Sequence, residues 1–204
     1  MDSVKSSSKK STESTESTES TPETSITTKS SDVSTGHKFK SKKEFINTIY
    51  PSAKREADKL GIPVEVILAQ AALESGFGGA VGKSTLTEKA NNIFSITKGS
   101  WNGDTYQHKD RDVTGQVSPV IFRKYASLDE SIADWSALMQ RAYKPSLEAA
   151  RKSVDEFNRV HANSKYATGV GVGNTPEERT RDANEKLYKN YTSVYNEVIK
   201  ILNS

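Results

Sequence analysis

Cysteine is absent from this chain of 204 residues. Its absence excludes a disulfide framework and any thiolate-bound metal. Histidine is scarce: His37, His108 and His161 stand far apart. A zinc site would need carboxylates to complete it, and no cofactor is expected. No apolar run approaches the roughly 18 residues of a membrane span. The opening "MDSVKSSSKK" also lacks the apolar segment of a secretory signal. A soluble protein without membrane insertion is expected, one that reaches any target outside a cytoplasm by another route. Strong charge of one sign is lacking too. The net charge is +3; residues 1 to 36 hold four lysines against six acids, which leaves +5 for the remainder. A mildly basic body favours an anionic partner such as nucleic acid, an acidic polymer or a cell wall. The basic residues are spread out rather than clustered with aromatics, so no nucleic-acid partner is expected.

What is present divides in two. Residues 1 to 38 are low in complexity, with "STESTESTES" a perfect three-residue repeat and only Val4, Ile26 and Val33 as large aliphatic side chains. Such a segment cannot bury enough surface to offset its ordering entropy, and a disordered tail is expected. Residues 39 to 204 form the folded domain. Ser41 and Glu44 make a capping box for a first helix that ends at Gly61 and is kinked or split at Pro51. Pro63 opens a second helix that Gly76 closes. A loop over 77 to 90 and the segment "NNIFSI", a short strand or buried loop, follow. Residues 101 to 125 alternate as two strands around a turn at Gly115, with Pro119 demanding an edge position. Three helices complete the chain. Their signals are Ser127 with Glu130, then Pro145 with the stripe Leu147, Ala150, Val154 and Phe157, then Thr175 with Glu178. The fold class is therefore α+β, mainly helical, with a small β-hairpin lobe.

The most concentrated signal is "AQAALESGFGG", residues 69 to 79. Glu74 falls in the last turn of a helix, where unpaired carbonyls disfavour a negative charge, and Phe77 adds desolvation. Both effects favour the protonated carboxyl, which is what a general acid must be. The glycines let the chain turn tightly and leave space beside the acid for a bulky substrate. A solvated glutamate before an ordinary glycine cap would have the same local sequence.

Four ordered blocks, "LAQAALESGFGG", "NNIFSI", "SWNG" and "FRKYASLDESIADW", resemble a bacterial glucosaminidase family. That family includes the muramidase domain of the flagellar rod-cap protein, autolysins and phage wall hydrolases. The resemblance spans about residues 41 to 195, with Ser95 where the family usually has glycine. It implies a lysozyme-like fold with a carbohydrate cleft between the lobes. It also implies a glycoside hydrolase of the endo-β-N-acetylglucosaminidase type, cutting the β-1,4 bond after N-acetylglucosamine in peptidoglycan glycan strands. Glu74 would be the proton donor. The family supplies a second carboxylate from its hairpin, which an ungapped count from Trp101 places at Asp112, with Asp110 two residues before it on the same strand face. Aspartate departs from the family's more frequent glutamate there. In "KYATGVGVGN" Tyr166, Ala167 and Thr168 keep the start of a cleft-lining family motif, whose following Asp-Pro is replaced by Gly169 and Val170. Tyr166 is expected to touch substrate, and Phe94 and Trp101 to line subsites or pack in the core. A wall enzyme without a signal is expected to be virion-associated, released by a holin or exported by a dedicated apparatus, and a virion or export partner is expected to engage the tail. Two other readings stay open: a non-catalytic wall-binding module of the same fold, and a lytic transglycosylase.

Overall fold

The computed structural model describes residues 37–82, 84–111, 116–166 and 171–204. These belong to a compact unit running over Ser34–Ser204. The tail expected over residues 1 to 38 lies outside the described residues but for its last two. Seven helices and one hairpin are found among the described residues.

Helix α1, Lys42–Leu60, starts at Ser41, whose hydroxyl accepts from the Glu44 amide. The Glu44 carboxylate reaches back to the Lys40 amide, one residue earlier than a strict capping box requires. The helix runs through Pro51 without splitting, and Gly61 closes it in the left-handed conformation. Helix α2, Val64–Ser75, begins one residue after the expected start, with Pro63 as its cap. Val66 to Ala72 are buried without a break, Gln70 among them, so α2 is covered on all sides and almost wholly apolar. A helix of that kind belongs at the centre of a domain, and α2 packs against both α1 and α7.

The segment after α2 is more ordered than a loop. A 3₁₀ turn, Phe77–Gly79, is followed by the short helix α3, Thr85–Ala90, capped by the Ser84 hydroxyl. "NNIFSI" is a buried turn. Asn92 fixes it by donating to the carbonyls of Ile96 and Arg123 and accepting from the Ile96 amide. Strands β1, Thr105–Arg111, and β2, Val117–Arg123, pair antiparallel with Thr105 opposite Arg123. The turn expected around Gly115 lies outside the described residues. The Arg123 amide points away from β1, to the Ile96 carbonyl. Pro119, four residues earlier, has its nitrogen on that same outer side, so no ladder bond is lost.

Helices α4, Leu128–Ala142, α5, Lys144–Lys152, α6, Val154–Ala162, and α7, Pro176–Leu202, complete the helical lobe. The helix expected from Pro145 through Phe157 is in fact two, divided at Ser153. This residue ends α5, and its side chain caps α6 by accepting from the Glu156 amide. A complete capping box of Thr175 and Glu178 starts α7. The apolar stripe of α7 packs inward: Val198 joins the core and Val194, Tyr195 and Leu202 lie against it. No helix among the described residues is long and apolar enough to cross a membrane.

Candidate active site

The glycines after α2 do something other than leave room. Gly76, Phe77, Gly78 and Gly79 all have positive φ, from 54° to 87°. Four left-handed residues in a row turn the chain sharply and drive Phe77 into the core, edge-on to Phe45. A bulky residue in that region is strained, and Phe77 takes it with its ring packed in the core. A Cβ on Gly78 would lie 2.5 Å from the rings of both Phe39 and Phe45. The space expected for substrate at this glycine is filled by core aromatics. Gly78→Ala is therefore expected to cost about 2–4 kcal/mol, from left-handed strain and overpacking together. Urea unfolding would measure it, and a loss below ~0.5 kcal/mol would contradict the packing described.

The same turn fixes the end of α2. Ser75 is buried; its hydroxyl donates to the Ala71 carbonyl and accepts from the Gly78 amide. Ser95 has a φ of 53°, and its hydroxyl donates to the Glu74 carbonyl at 3.2 Å. Glu74 is thus held by its own helix, by the glycine turn and by the buried Asn92–Ile96 turn. Burial pushes its carboxyl up from 4.5 to about 7. The direction is the one the helix-end position implies, and desolvation is the cause.

Tyr166 joins this arrangement through Phe94. Its hydroxyl donates to the Phe94 carbonyl at 3.3 Å, one residue from the serine that caps Glu74. Its ring packs against His161 at 4.7 Å and Tyr143 at 5.3 Å between centroids. Burial holds its phenol well above the ordinary range, and the charge of Glu74 adds to this. Phe94 contributes that carbonyl rather than its ring, which is 1 % exposed and stacks on Trp135. Trp101 is half-buried and anchors the base of the hairpin. Its indole N–H donates to the Asp104 carbonyl, the Arg123 guanidinium covers its ring and Tyr125 meets its edge. It lines a cavity of about 440 Å³ with Arg123, Asp134 and Arg141, whose walls do not include Glu74. Asp110 stands exposed in β1 opposite Ser118. Asp112 lies outside the described residues, as do Ala167 to Val170 of the tyrosine motif. Among the described residues no group of three or more His, Asp or Glu side chains could hold a metal ion.

Nothing in the local sequence singles out Tyr191 of α7, which has the spacing of any apolar residue on a helix. It is 2 % exposed. After burial, the charge of Glu74 is the next cause that raises its phenol. Burial thus raises both tyrosine phenols, and a charge on Glu74 would raise them further.

Comparison with known proteins then places the chain. Residues 50–203 match the family model for glucosaminidase, described as mannosyl-glycoprotein endo-β-N-acetylglucosaminidase. The chain belongs to the glucosaminidase family. Among curated relatives, the peptidoglycan hydrolase FlgJ of Vibrio cholerae is 32% identical over 137 residues, covering 64% of this chain and 40% of the relative. FlgJ of Pseudomonas aeruginosa is 29% identical over 136 residues, covering 64% of this chain and 34% of the relative. The chain thus spans less than half the length of these relatives. The crystal structure of a peptidoglycan hydrolase from Sphingomonas sp. A1 superposes with a TM-score of 0.58 at 25% identity, over 78% of this chain and 92% of that one. The glucosaminidase fold is lysozyme-like, as the four sequence blocks imply.

Proposed function

We propose that this glucosaminidase is a peptidoglycan hydrolase that cuts the β-1,4 glycosidic bond after N-acetylglucosamine, with Glu74 as the general acid. The observation that carries the reading is a carboxyl fixed at a helix end and lifted by burial to about 7. Such a group keeps its proton on a large share of the molecules near neutral pH and can hand it to the glycosidic oxygen as the C1–O bond breaks. Positive charge then develops at C1, and water completes the hydrolysis to leave a reducing N-acetylglucosamine end. The water is activated by a hairpin carboxylate, Asp112 with Asp110 as the next candidate, or the substrate's own acetamido group assists. Tyr166 is the substrate contact beside the acid, where an aromatic ring can stack on a sugar. A glycan substrate puts the work of the chain at the cell wall, and a virion or export apparatus is the partner proposed for the N-terminal segment.

The test is to incubate purified peptidoglycan with the protein and identify the new chain ends by mass spectrometry. Reducing N-acetylglucosamine ends are expected. Anhydro-muramic ends would instead make the protein a lytic transglycosylase, and no new ends would make it a wall-binding module. Asp110→Asn and Asp112→Asn, assayed in parallel, locate the second carboxylate: full activity in both variants would remove the hairpin from the chemistry and leave the acetamido route.

A further inference from the structure

The cavity beside Trp101 lies between the base of the hairpin and α4, and Glu74 is not part of its walls. Its volume of about 440 Å³ falls in the roughly 300–1,000 Å³ range of ligand pockets and far exceeds the ~30 Å³ of one water. Two guanidiniums, of Arg123 and Arg141, line it against one carboxylate, of Asp134. Ser100 and Asn102 add a hydroxyl and an amide.

The two guanidiniums differ. Arg123 is fixed: its Nη1 is spent on both oxygens of Asp134 and its Nε on the Thr97 carbonyl. Its Nη2 donates to nothing among the described residues, and it is not one of the polar atoms sealed from solvent without a partner. Arg141 follows Asp134 by seven residues, about two turns along the same face of α4. It is exposed and makes no hydrogen bond or ion pair among the described residues. Asp134 is already occupied by Arg123 and by the Tyr125 hydroxyl. The cavity thus holds one positive charge in excess, with guanidinium donors unspent. The Trp101 ring is committed to packing. Arg123 covers it, Tyr125 meets its edge, and Gly103 presses so close that a Cβ there would lie 2.6 Å from the indole. What the cavity offers a ligand is charge and hydrogen bonds rather than a stacking face.

We propose that this cavity is a subsite for a peptide carboxylate, the group carried by the short peptides that branch from peptidoglycan glycan. This rests on the reading of peptidoglycan as the substrate. A guanidinium presents its donors as a planar fork that fits a carboxylate. Arg123 is already oriented by Asp134, so its free donors need no further ordering. Arg141 supplies the uncompensated charge, and a singly charged ligand group neutralises it. Ser100 and Asn102 meet the amides beside the carboxylate. Strands that still bear their peptides then bind better than bare ones.

The chain has two tryptophans, which makes the test direct. Trp101 lines the cavity, whereas the indole N–H of Trp135 is sealed in the core. Both indole signals are followed by nitrogen-15 NMR while the free-acid tetrapeptide L-Ala-γ-D-Glu-L-Lys-D-Ala is added to the protein. The Trp101 signal is expected to shift and saturate, and the Trp135 signal to stay. Amidating both carboxyls of the peptide, or making Arg141→Gln, is expected to weaken binding about tenfold or more, as losing a charged hydrogen bond does. A still Trp101 signal overturns the proposal, as does binding that survives both changes. Inorganic phosphate that saturates the shift at lower concentration than the peptide overturns it too, in favour of a phosphate site. An Arg141→Gln protein that melts earlier yet binds the peptide like wild type gives Arg141 a structural role only, and the subsite falls. Peptide binding by a protein that releases no glycan ends overturns the hydrolase reading and leaves the subsite standing. Glycan cleavage with a still Trp101 signal overturns the subsite alone.

Discussion

Replacing Glu74 by glutamine is expected to lower kcat/KM on peptidoglycan at least ~100-fold and, at the same time, to make the protein harder to melt at pH 8. Glutamine keeps the shape of the acid and removes its transferable proton. The loss of activity is the lower end of what removing a general acid costs, and it should appear in kcat rather than KM. The gain in stability follows from the same burial. The folded chain raises this carboxyl from 4.5 to about 7, so it binds the proton more tightly than the unfolded chain does. The stabilisation from that difference is full below pH 4.5 and is lost as pH climbs through about 7. Glutamine is neutral throughout and loses nothing. Thermal melts at pH 4 and pH 8 should therefore show the variant's advantage growing between the two. The wild-type activity should fall above about pH 7, where the acid has lost its proton. Equal activity in the two proteins would remove Glu74 from the chemistry, and melting curves that differ equally at both pH values would contradict its burial.

The second large effect lies at the base of the hairpin. Arg123 is 6 % exposed. It donates two hydrogen bonds to Asp134, at 2.9 and 2.8 Å, and a third to the Thr97 carbonyl. Tyr125 donates its hydroxyl to the same carboxylate at 2.7 Å, and burial, followed by Asp134, holds that phenol far above its ordinary range. Asp134→Ala would leave a guanidinium out of water with no counter-charge. The expected cost is about 3–5 kcal/mol, a large part of the ~5–15 kcal/mol that holds a domain together. The double variant Arg123→Met with Asp134→Leu should recover much of the loss, because burying no charge is cheaper than burying one unpaired. Urea unfolding of the three proteins tests this: a single-variant loss below ~1 kcal/mol, or no recovery in the double, would show that the ion pair does not hold the hairpin to α4.

The helix ends that carry caps were legible in the sequence. Ser41, Gly61, Gly76, Ser127 and Thr175 all stand where their chemistry predicts. The break at Ser153 carries the same kind of signal, since Glu156 follows three residues later. It was hidden because the apolar stripe Leu147, Ala150, Val154 and Phe157 runs on through it, and periodicity outweighs one cap when read along a line. Helix α3 was missed because six residues are too few to show a period at all. Of the site, Glu74 was visible because its surroundings are local: a helix end, a phenylalanine and three glycines. Tyr191 was not distinguishable from any other core tyrosine, because its contact with His161 is made by the packing of α7 on α6 and a core tyrosine has the same spacing on a helix. Gly78 shows the opposite failure, where a local reading gave the glycine to the substrate and the fold gave its space to Phe39 and Phe45.

The ion pair between Lys42 and Glu197, with the contact of Lys43 Nζ to the Ser204 hydroxyl at 3.3 Å, has a topological meaning. The start of α1 and the end of α7 are neighbours in space, so a backbone entering the domain at one leaves it at nearly the same point. Such a unit is a cassette. It can be spliced into a surface loop of another protein without prising the host apart, or have its ends joined and be reopened elsewhere, with the buried α2 and its acid undisturbed.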